Sequence, residues 1–299
     1  MEGLSLSINW AFDNGMNFMP HLIVATLIGL IFAVRAKSGP WQIGLVVGLG
    51  IAWGALAVSS FNHAALRPDK ETPDSQVIKT LTFNLYDRNT NHEKVVDYIW
   101  GVDADIVCLQ EAIGEWRTAV SSLLRLYPHA LQSAKGGTIL MSKHPVDVLD
   151  VNLASATPYS IAVTMKEFDR PVDMLCMHLT RPESPTKLAL RNQEMGYLAR
   201  TVFKSKHPIV LMGDFNASTR SPSMFRFMQQ AGVQTAGPGF PPANSWPGNF
   251  PLLGIRIDHI MFSPPLHQTG RDVGPSMGSN HRPVSAKLVL PRGTDENAR

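Results

Sequence analysis

The stretch Ile209-Val210-Leu211-Met212-Gly213-Asp214-Phe215-Asn216 joins an uninterrupted apolar run to a glycine, a carboxylate and an amide. Because the apolar residues follow one another without alternation, they predict a strand that is covered on both faces. Gly213 would let the backbone approach another segment closely. Asp214 and Asn216 stand two positions apart on an extended chain and should therefore point the same way. Together they could face a phosphate or a metal-bound water.

Strand-like and helix-like runs surround this stretch on both sides. Apolar runs predict strands at 77–85, 105–109, 138–141, 146–151, 160–165, 172–178, 256–262 and 285–290, and helical spacing predicts helices at 95–100, 116–126 and 188–203. Some strands are linked by helices, whereas others follow one another like hairpins. The pattern predicts an α/β (α+β) sandwich, with two packed mixed β-sheets inside and helices outside.

Five other apolar strands also end at or beside a polar side chain. These side chains are Asn84, Glu111, His178, Asp258 and His281. Burying so many polar groups is costly unless they satisfy one another or a ligand. A divalent cation together with a phosphate would satisfy them.

The carboxylates and amides of this set suit a hard cation and a phosphate. Glu111 and Asp214 offer oxygen ligands of the kind that Mg²⁺ prefers, and Mg²⁺ needs only one or two carboxylates. Asn84 and Asn216 could bond phosphate oxygens without adding negative charge. The alternative for Glu111 is that it caps a helix.

The two histidines suit proton transfer. His281, held by Asp258, is typical of a base and its orienting carboxylate. His178 could donate to a phosphate or protonate a leaving oxygen, and its alternative is a core histidine without a catalytic role. Three basic residues of the 188–203 region are predicted to form a solvated helix face: Lys187, Arg191 and Arg200.

Composition and cysteine count exclude some classes of protein. With 44% hydrophobic residues the chain is not disordered, and 27 basic against 24 acidic residues give a charge of +3, too small to indicate nucleic-acid binding by itself. Cys108 and Cys176 each stand in an apolar, strand-like run. They are predicted to be buried free thiols.

The N-terminal region predicts a membrane anchor. Residues 1–17 form a polar lead that is expected to be exposed, and two transmembrane helices are expected within 18–61, with apolar segments at 18–34 and 41–61. Arg35 and Lys37 in the intervening turn place that turn in the cytoplasm and the rest of the chain outside it. The expected location is a bacterial inner (cell) membrane, with two passes.

Two alternatives to the anchor remain open. The segments could be buried helices of a soluble protein, or cleavage after Ala55-Leu56-Ala57 could release the rest as a secreted protein. In either case, residues 62–76 are predicted to be a linker, 77–291 the catalytic domain and 292–299 a disordered tail.

Residues 77–290 resemble the endonuclease/exonuclease/phosphatase (DNase I-like) superfamily of metal-dependent phosphoesterases. Six motifs in family order carry the resemblance: Thr82-Phe83-Asn84, Leu109-Gln110-Glu111, His178-Leu179, Gly213-Asp214-Phe215-Asn216, Arg256-Ile257-Asp258-His259-Ile260 and Ser279-Asn280-His281-Arg282-Pro283-Val284. It implies a four-layer sandwich with the site at one edge of the two sheets.

The resemblance also implies residue roles. Mg²⁺, with Mn²⁺ as an alternative, would bind Glu111 with Asn84 and Asn280 beside it. The phosphate would contact Asn84, Asn216, His178 and His281; Asp214 would position or deprotonate the attacking water, and Asp258 would orient His281. The resemblance does not decide which of these groups is the general base.

One position departs from the family pattern. The family usually has Ser-Asp-His where this chain has Ser279-Asn280-His281. Asparagine keeps an oxygen but removes a negative charge, so we expect Mg²⁺ to bind more weakly than in relatives with aspartate, by about 1 to 3 kcal/mol.

The anchor and the pattern Ser245-Trp246-Pro247 before residues 256–259 resemble a bacterial subgroup that includes VanJ-type proteins, which implies polyprenyl pyrophosphate as substrate. The sequence therefore predicts a membrane-anchored hydrolase that acts on a phosphate ester or pyrophosphate, with the lipid bilayer and a lipid-linked substrate as partners. The alternatives are an anchored nuclease acting on DNA or RNA, a non-catalytic phosphate-binding scaffold, and an enzyme for soluble sugar or inositol phosphates.

Overall fold

Two six-stranded mixed sheets pack face to face in the computed structural model. The first has the order β11-β12-β1-β2-β4-β3, formed by β1 (Ser75–Asn84), β2 (Ile106–Ala112), β3 (His129–Gln132), β4 (Gly137–Ser142), β11 (His267–Val273) and β12 (Val284–Pro291). The second has the order β5-β6-β7-β8-β10-β9, formed by β5 (Val146–Val148), β6 (Ile161–Met165), β7 (Val172–His178), β8 (Ile209–Asp214), β9 (Gln234–Thr235) and β10 (Asp258–Phe262). The predicted two-sheet sandwich is confirmed.

The structure describes residues 2–36, 39–61, 75–149, 151–237, 244–250 and 253–292. Residues 62–74 of the predicted linker and 293–299 of the predicted tail lie outside these ranges, as do Lys37 and Ser38 of the predicted turn.

One parallel strand pair lies at the centre of each sheet and sets the position of the polar residues. β1 pairs with β2 across α4 (His92–Val102), and β7 pairs with β8 across α7 (Pro185–Phe203). Parallel strands joined by a crossover end at the same edge of the sheet. Strand β10 runs antiparallel to β8 and begins at Asp258, directly opposite Asp214. The end of one strand and the start of the next therefore meet at one edge.

Helices cover the outer faces of both sheets and complete four layers. Residues Phe83, Leu109 and Trp116 belong to the core between the first sheet and α4 and α5 (Glu115–Ser121), which continues into a short 3-10 turn, Ser122–Arg125. Leu198 and Phe227 belong to the core between the second sheet and α7 and α8 (Pro222–Ala231). A third core fills the space between the sheets. One further short helix, α6 (Leu153–Ala156), precedes β6.

The prediction of two free thiols is wrong. Cys108 in β2 and Cys176 in β7 form a disulfide, with an S–S distance of 2.07 Å and a Cα–Cα distance of 5.4 Å. Both side chains belong to the core between the sheets. Two apolar runs do not reveal that their strands face each other across the sandwich, which is why the pairing was missed.

The N-terminal region forms three helices, α1 (Glu2–Asn17), α2 (Met19–Arg35) and α3 (Pro40–Phe61). The prediction of an exposed lead at 1–17 holds for residues 4–9 but not for the end of the segment, because α1 packs against α7 and α8 and buries Asp13 and Asn17. Helices α2 and α3 pack against each other.

The described residues give limited support for a membrane span. None of their helices alone is long and apolar enough to cross a bilayer. The pair Leu4–Asn17 and Met19–Arg35 reaches that length and hydropathy together but is bent by 82°, and Pro40–Ala52 adds a shorter apolar helix.

Candidate active site

The polar strand ends of both sheets meet at one cleft of about 860 Å³. Six of the eight predicted site residues line it: Glu111, His178, Asp214, Asn216, Asn280 and His281. The other two, Asn84 and Asp258, are buried and bond to lining residues. The structure thus brings all eight together at the edge that the parallel strand pairs define.

Asp214 is the central group of the cleft. Its Oδ2 accepts a hydrogen bond from Asn84 Nδ2 at 3.1 Å and lies 3.7 Å from Nε2 of both His178 and His281. Its Oδ1 accepts a bond from the backbone N–H of Asn216 at 2.8 Å. One carboxylate therefore contacts groups from both sheets.

Gly213 makes this position of Asp214 possible. Its φ is +149°, and a Cβ there would lie 1.9 Å from the carbonyl oxygen of Met177 on the neighbouring strand. Any larger residue would push β8 away from β7. The close backbone approach that the glycine predicts is present, and it places Asp214 beside His178.

The surroundings of Asp214 raise the pKa of its carboxyl group. Burial raises the pKa of this carboxyl, and the nearby Asp258 carboxylate raises it further, whereas His281 and His178 partly offset the rise. A carboxylate whose pKa is raised is a better proton acceptor from water than an ordinary aspartate.

Asp258 and His281 form a buried pair. The Oδ2 atom of Asp258 lies 2.9 Å from Nδ1 of His281, which leaves Nε2 of the imidazole directed towards Asp214. Burial lowers the pKa of His281, but Asp258 and Asp214 outweigh it and raise the pKa to about 9. At neutral pH the imidazole is therefore charged and can donate from Nε2.

Two serines hold this pair in place and were not predicted as site residues. Ser279 Oγ donates to the carbonyl of Asn84 at 2.7 Å and accepts from the His281 N–H at 2.9 Å. Ser245 Oγ accepts from the Asp258 N–H at 3.1 Å. Both serines stand in motifs that the sequence singles out, so their position beside the polar residues was the available signal.

The donor set fits a divalent cation. Glu111 Oε1 accepts from Asn84 Nδ2 at 3.1 Å, and the Oδ1 atom of Asn280 is buried without a hydrogen-bond partner among the described residues. A buried amide oxygen without a donor, in a cleft that also holds the carboxylates of Glu111 and Asp214, suits a hard cation. A second set, Asp214, Asp258 and His281, has ligand atoms within 4.8 Å of one another. Both sets are hydrogen-bonded internally, Asp258 to His281 and Glu111 to Asn84, and each holds one buried oxygen without a partner among the described residues, Asp258 Oδ1 and Asn280 Oδ1.

Arg191 corrects the prediction of a solvated helix face. Its side chain is 0% exposed, whereas Lys187 and Arg200 are exposed. Its Nη1 donates to the carbonyl of Asn216 at 2.5 Å, and its Nη2 donates to Asp13 of α1 at 2.5 Å. The sequence did contain a signal, because Arg191 continues the spacing of the buried residues Leu188, Met195 and Leu198 on α7.

Helix α1 supplies a further wall of the cleft that the sequence did not predict. Trp10, Asn14, Asn17 and Phe18 line the cleft together with the predicted residues. Trp10 Nε1 donates to the carbonyl of Pro182 at 2.7 Å, which joins the helix to the loop after β7. The region expected to be an exposed lead is therefore part of the site.

The sequence model of the endonuclease/exonuclease/phosphatase family matches residues 81–281. The chain belongs to this family. The matched region extends from β1 to His281 and includes every residue predicted for the site. No curated protein matches the chain significantly.

Several solved structures share the family fold with low sequence identity. An endonuclease/exonuclease/phosphatase from Beutenbergia cavernae is 17% identical, with a TM-score of 0.59 and 72% of each chain covered. Beta toxin from Staphylococcus aureus with bound magnesium ions is 16% identical, with a TM-score of 0.53, 71% of this chain and 99% of that chain covered. Sphingomyelinase C from Streptomyces griseocarneus has the same identity, TM-score and coverage. At these identities the likeness concerns the fold.

Proposed function

We propose that this family member is a membrane-anchored, Mg²⁺-dependent phosphoesterase that hydrolyses a phosphate ester or pyrophosphate of a lipid-linked substrate, such as a polyprenyl pyrophosphate. The observation that carries the proposal is the composition of the cleft. One wall places Asp214 between His178 and His281, and another wall is α1, which leads directly into the apolar helices α2 and α3.

The residues of the first wall suit in-line attack of water on phosphorus. Asp214 would take a proton from the water, because its buried carboxylate faces the cleft with a raised pKa. His281, held by Asp258, would donate from Nε2 to a phosphoryl oxygen, and His178 would do the same from the neighbouring strand. Asn216 would contact the phosphate as well.

The cation would be held by carboxylate and amide oxygens. The Oδ1 atom of Asn280 has no hydrogen-bond partner among the described residues, whereas the oxygens of Glu111 and Asn84 each accept one bond and would bind the ion with a remaining lone pair. Glu111, Asn84 and Asn280 would bind it, and Mn²⁺ could replace Mg²⁺ there. A bound divalent cation would neutralise charge on the phosphoryl oxygens. The magnesium ions bound to the beta toxin support this choice of ion, because that protein has the same fold.

Membrane anchoring is supported by the apolar N-terminal helices, by charge and by the disulfide. Helices Leu4–Asn17 and Met19–Arg35 together reach the length and hydropathy of a span, and the apolar segment Pro40–Ala52 follows them. Arg35 and Lys37 between α2 and α3 favour a cytoplasmic turn and an extracytoplasmic catalytic domain in a bacterial inner membrane. The Cys108–Cys176 disulfide agrees with that side, because disulfides persist in oxidising compartments.

A lipid-linked substrate is favoured over nucleic acid by the charges of the cleft. Among the described residues, two arginines line the cleft, Arg88 and Arg181, against four acids, and Arg181 pairs with Glu183 at 3.7 Å. The acids are Asp87, Glu111, Glu183 and Asp214. A polynucleotide site needs stacking aromatics within a continuous basic groove. The cleft has aromatic residues, among them Tyr86 and Trp246, but its charges do not form a basic groove. Tethering also raises the effective concentration of a substrate that stays in the same membrane. Sphingomyelinase C, whose fold is similar, is named for its action on sphingomyelin.

The proposal is tested with the full-length protein in detergent. Phosphate release from a polyprenyl pyrophosphate is measured with Mg²⁺ and with EDTA, and plasmid DNA is offered to the same preparation. The Asp214→Ala variant is the blank. We expect Mg²⁺-dependent release from the lipid, intact plasmid and no activity in the variant.

Two results would change the assignment. Nicked plasmid with untouched lipid would make the protein an anchored nuclease. No hydrolysis of either, with phosphate still bound, would favour a scaffold. A reporter fused after Arg299 tests the topology separately, since activity confined to the cytoplasm would contradict an extracytoplasmic domain.

A further inference from the structure

Helix α1 has two faces of opposite character. Leu4, Ile8 and Phe12 recur every four residues and form one stripe, with 69%, 59% and 49% of their surface exposed. Asp13 and Asn17, on the other side of the helix, are buried against the catalytic domain. An exposed stripe of three large apolar side chains on a docked helix needs an explanation.

Polar contacts fix the rotation of α1 and so the direction of the stripe. Asp13 accepts bonds from Arg191 at 2.5 Å and from the Ser223 N–H at 2.9 Å, in the first turn of α8. Asn17 accepts from the Ser218 N–H at 2.8 Å. With these bonds made, the helix cannot turn the stripe onto the domain.

The apolar helix α2 follows the helix that carries the stripe. Helix α2 follows α1 after Phe18 at an angle of 82°, and its exposed side chains include Leu27, Ile31 and Phe32. If α2 crosses a bilayer close to its normal, α1 must lie close to the plane of the surface. The domain then covers one face of α1, and the stripe faces the lipid.

We infer that α1 is an interfacial helix whose Leu4–Ile8–Phe12 stripe lies in the head-group region of the bilayer and holds the mouth of the active-site cleft at that surface. The inference rests on the proposed membrane anchor. Because Trp10 and Asn14 of the same helix line the cleft, the reacting groups stand about one helix diameter, ~10–12 Å, from the lipid surface. The head group of a membrane-borne phosphoester would enter beside α1.

The charge of α1 specifies the kind of surface. Its sequence contains Glu2 and Asp13 but no lysine or arginine. Binding should therefore depend on apolar burial and not on anionic lipids, and neutral phosphatidylcholine vesicles should suffice.

The first experiment measures the position of the stripe without using activity. The two native cysteines form the buried disulfide, so a cysteine introduced into α1 is selectively labelled. Ile8→Cys and Asn9→Cys are each labelled with the dye NBD in the full-length protein and reconstituted into phosphatidylcholine vesicles. Asn9 is the matched control, since it is exposed one position away and about 100° around the helix.

We expect the dye at position 8 to be quenched by spin-labelled lipid and shielded from iodide. The dye at position 9 should be quenched less by the lipid and more by iodide. Equal iodide quenching at both positions would overturn the inference. Shielding of position 8 in detergent that increases with protein concentration would also overturn it, because the stripe would then cover a second copy of the chain.

The second experiment asks whether the stripe directs the cleft. The Leu4→Ser/Ile8→Ser/Phe12→Ser variant is compared with wild type on a long polyprenyl pyrophosphate in vesicles and on water-soluble geranyl pyrophosphate. We expect at least about a tenfold loss on vesicles, because surface confinement is weakened, with less than a twofold change on the soluble compound.

Equal losses on both compounds would contradict the inference, because the stripe would then serve the fold. If wild type hydrolyses neither compound, the proposed substrate is wrong, and the dye positions alone decide whether α1 lies on the membrane.

Discussion

One wall of the cleft consists of strand ends from both sheets, whereas another consists of the single helix α1. The strand wall holds His178 and Asp214, at the ends of the parallel strands β7 and β8, and His281, which precedes β12 of the other sheet. The α1 wall holds Trp10 and Asn14, which offer no group of suitable pKa for proton transfer. The difference teaches that the proposed chemistry and the proposed presentation of the substrate fall on separate elements, which can be altered one at a time.

Asp214→Asn should have the largest effect, because it removes the proton acceptor from the strand wall. We expect kcat to fall by about 10³-fold on vesicle-borne and soluble substrates alike. Asn14→Ser on the α1 wall is the matched control, and it should change kcat by less than about tenfold. Steady-state phosphate release measures both variants. A similar loss in both would remove the distinction between the two walls.

The strand wall could be predicted from the sequence because its signals are local. An apolar run followed by Asp214, Glu111 or His178 indicates a strand end with a polar side chain. The parallel pairing then brings such ends to one edge, so the convergence follows from the fold class. The two-sheet sandwich was predictable for the same reason.

The α1 wall could not be predicted in this way because its signals are tertiary. Leu4, Ile8 and Phe12 form a stripe, but only the docked structure shows that Asp13 meets Arg191. The Cys108–Cys176 pairing likewise depends on which strands face each other across the core. Arg191 is the intermediate case. The sequence shows that it shares the spacing of the buried residues of α7, but it does not show that Asp13 is its partner.

Asp13→Ala should weaken the α1 wall most. It leaves the Arg191 guanidinium buried without its carboxylate, and the removal of one partner of a buried pair costs about 3–5 kcal/mol. The loss in free energy of unfolding cannot exceed the free energy with which α1 docks on the domain, because undocking of the helix exposes Arg191 to water. Urea unfolding of the detergent-solubilised protein, followed by tryptophan fluorescence, measures it.

An exposed ion pair at the start of α7 is the control for Asp13→Ala. Lys187 pairs with Glu183 at the surface, so Lys187→Gln should cost less than about 0.5 kcal/mol. Equal losses in the two variants would mean that α1 is not fastened through Arg191.

His281 should make the stability of the strand wall depend on pH. Its pKa is raised from 6.5 to about 9 in the folded protein, despite the opposing effect of burial, by Asp258 and Asp214. The folded state therefore binds the proton more tightly than the unfolded state. The protonation of His281 therefore contributes about 3 kcal/mol to the free energy of unfolding. This contribution is fully present below pH 6.5 and is lost as the pH rises through 9.

The measurement is urea unfolding at pH 6 to 9.5 in EDTA, with His281→Asn as the comparison. The difference in free energy of unfolding between wild type and variant should shrink as the pH rises. The loss caused by Asp13→Ala should stay constant over this range, because Arg191 remains charged. A pH-independent difference for His281→Asn would show that the histidine is not charged in the folded protein.

Asn280→Asp should have the smallest effect and tests the strand wall as a cation site. The Oδ1 atom of Asn280 is buried without a hydrogen-bond partner among the described residues, so an aspartate would present a charged oxygen at the same place. We expect Mg²⁺ to bind more tightly by about 1 to 3 kcal/mol, or roughly 5- to 150-fold in Kd, as measured by calorimetric titration.

Asn14→Asp adds the same charge to the α1 wall of the same cleft and separates ligation from simple attraction. If Asn280 is a ligand, only its variant should gain the full affinity, since a charge that does not touch the ion acts through solvent. Equal gains would mean that the cleft as a whole attracts the cation and that Asn280 does not bind it. If Asn280→Asp does not bind Mg²⁺ more tightly than wild type, the expectation that asparagine at this position weakens Mg²⁺ binding is wrong.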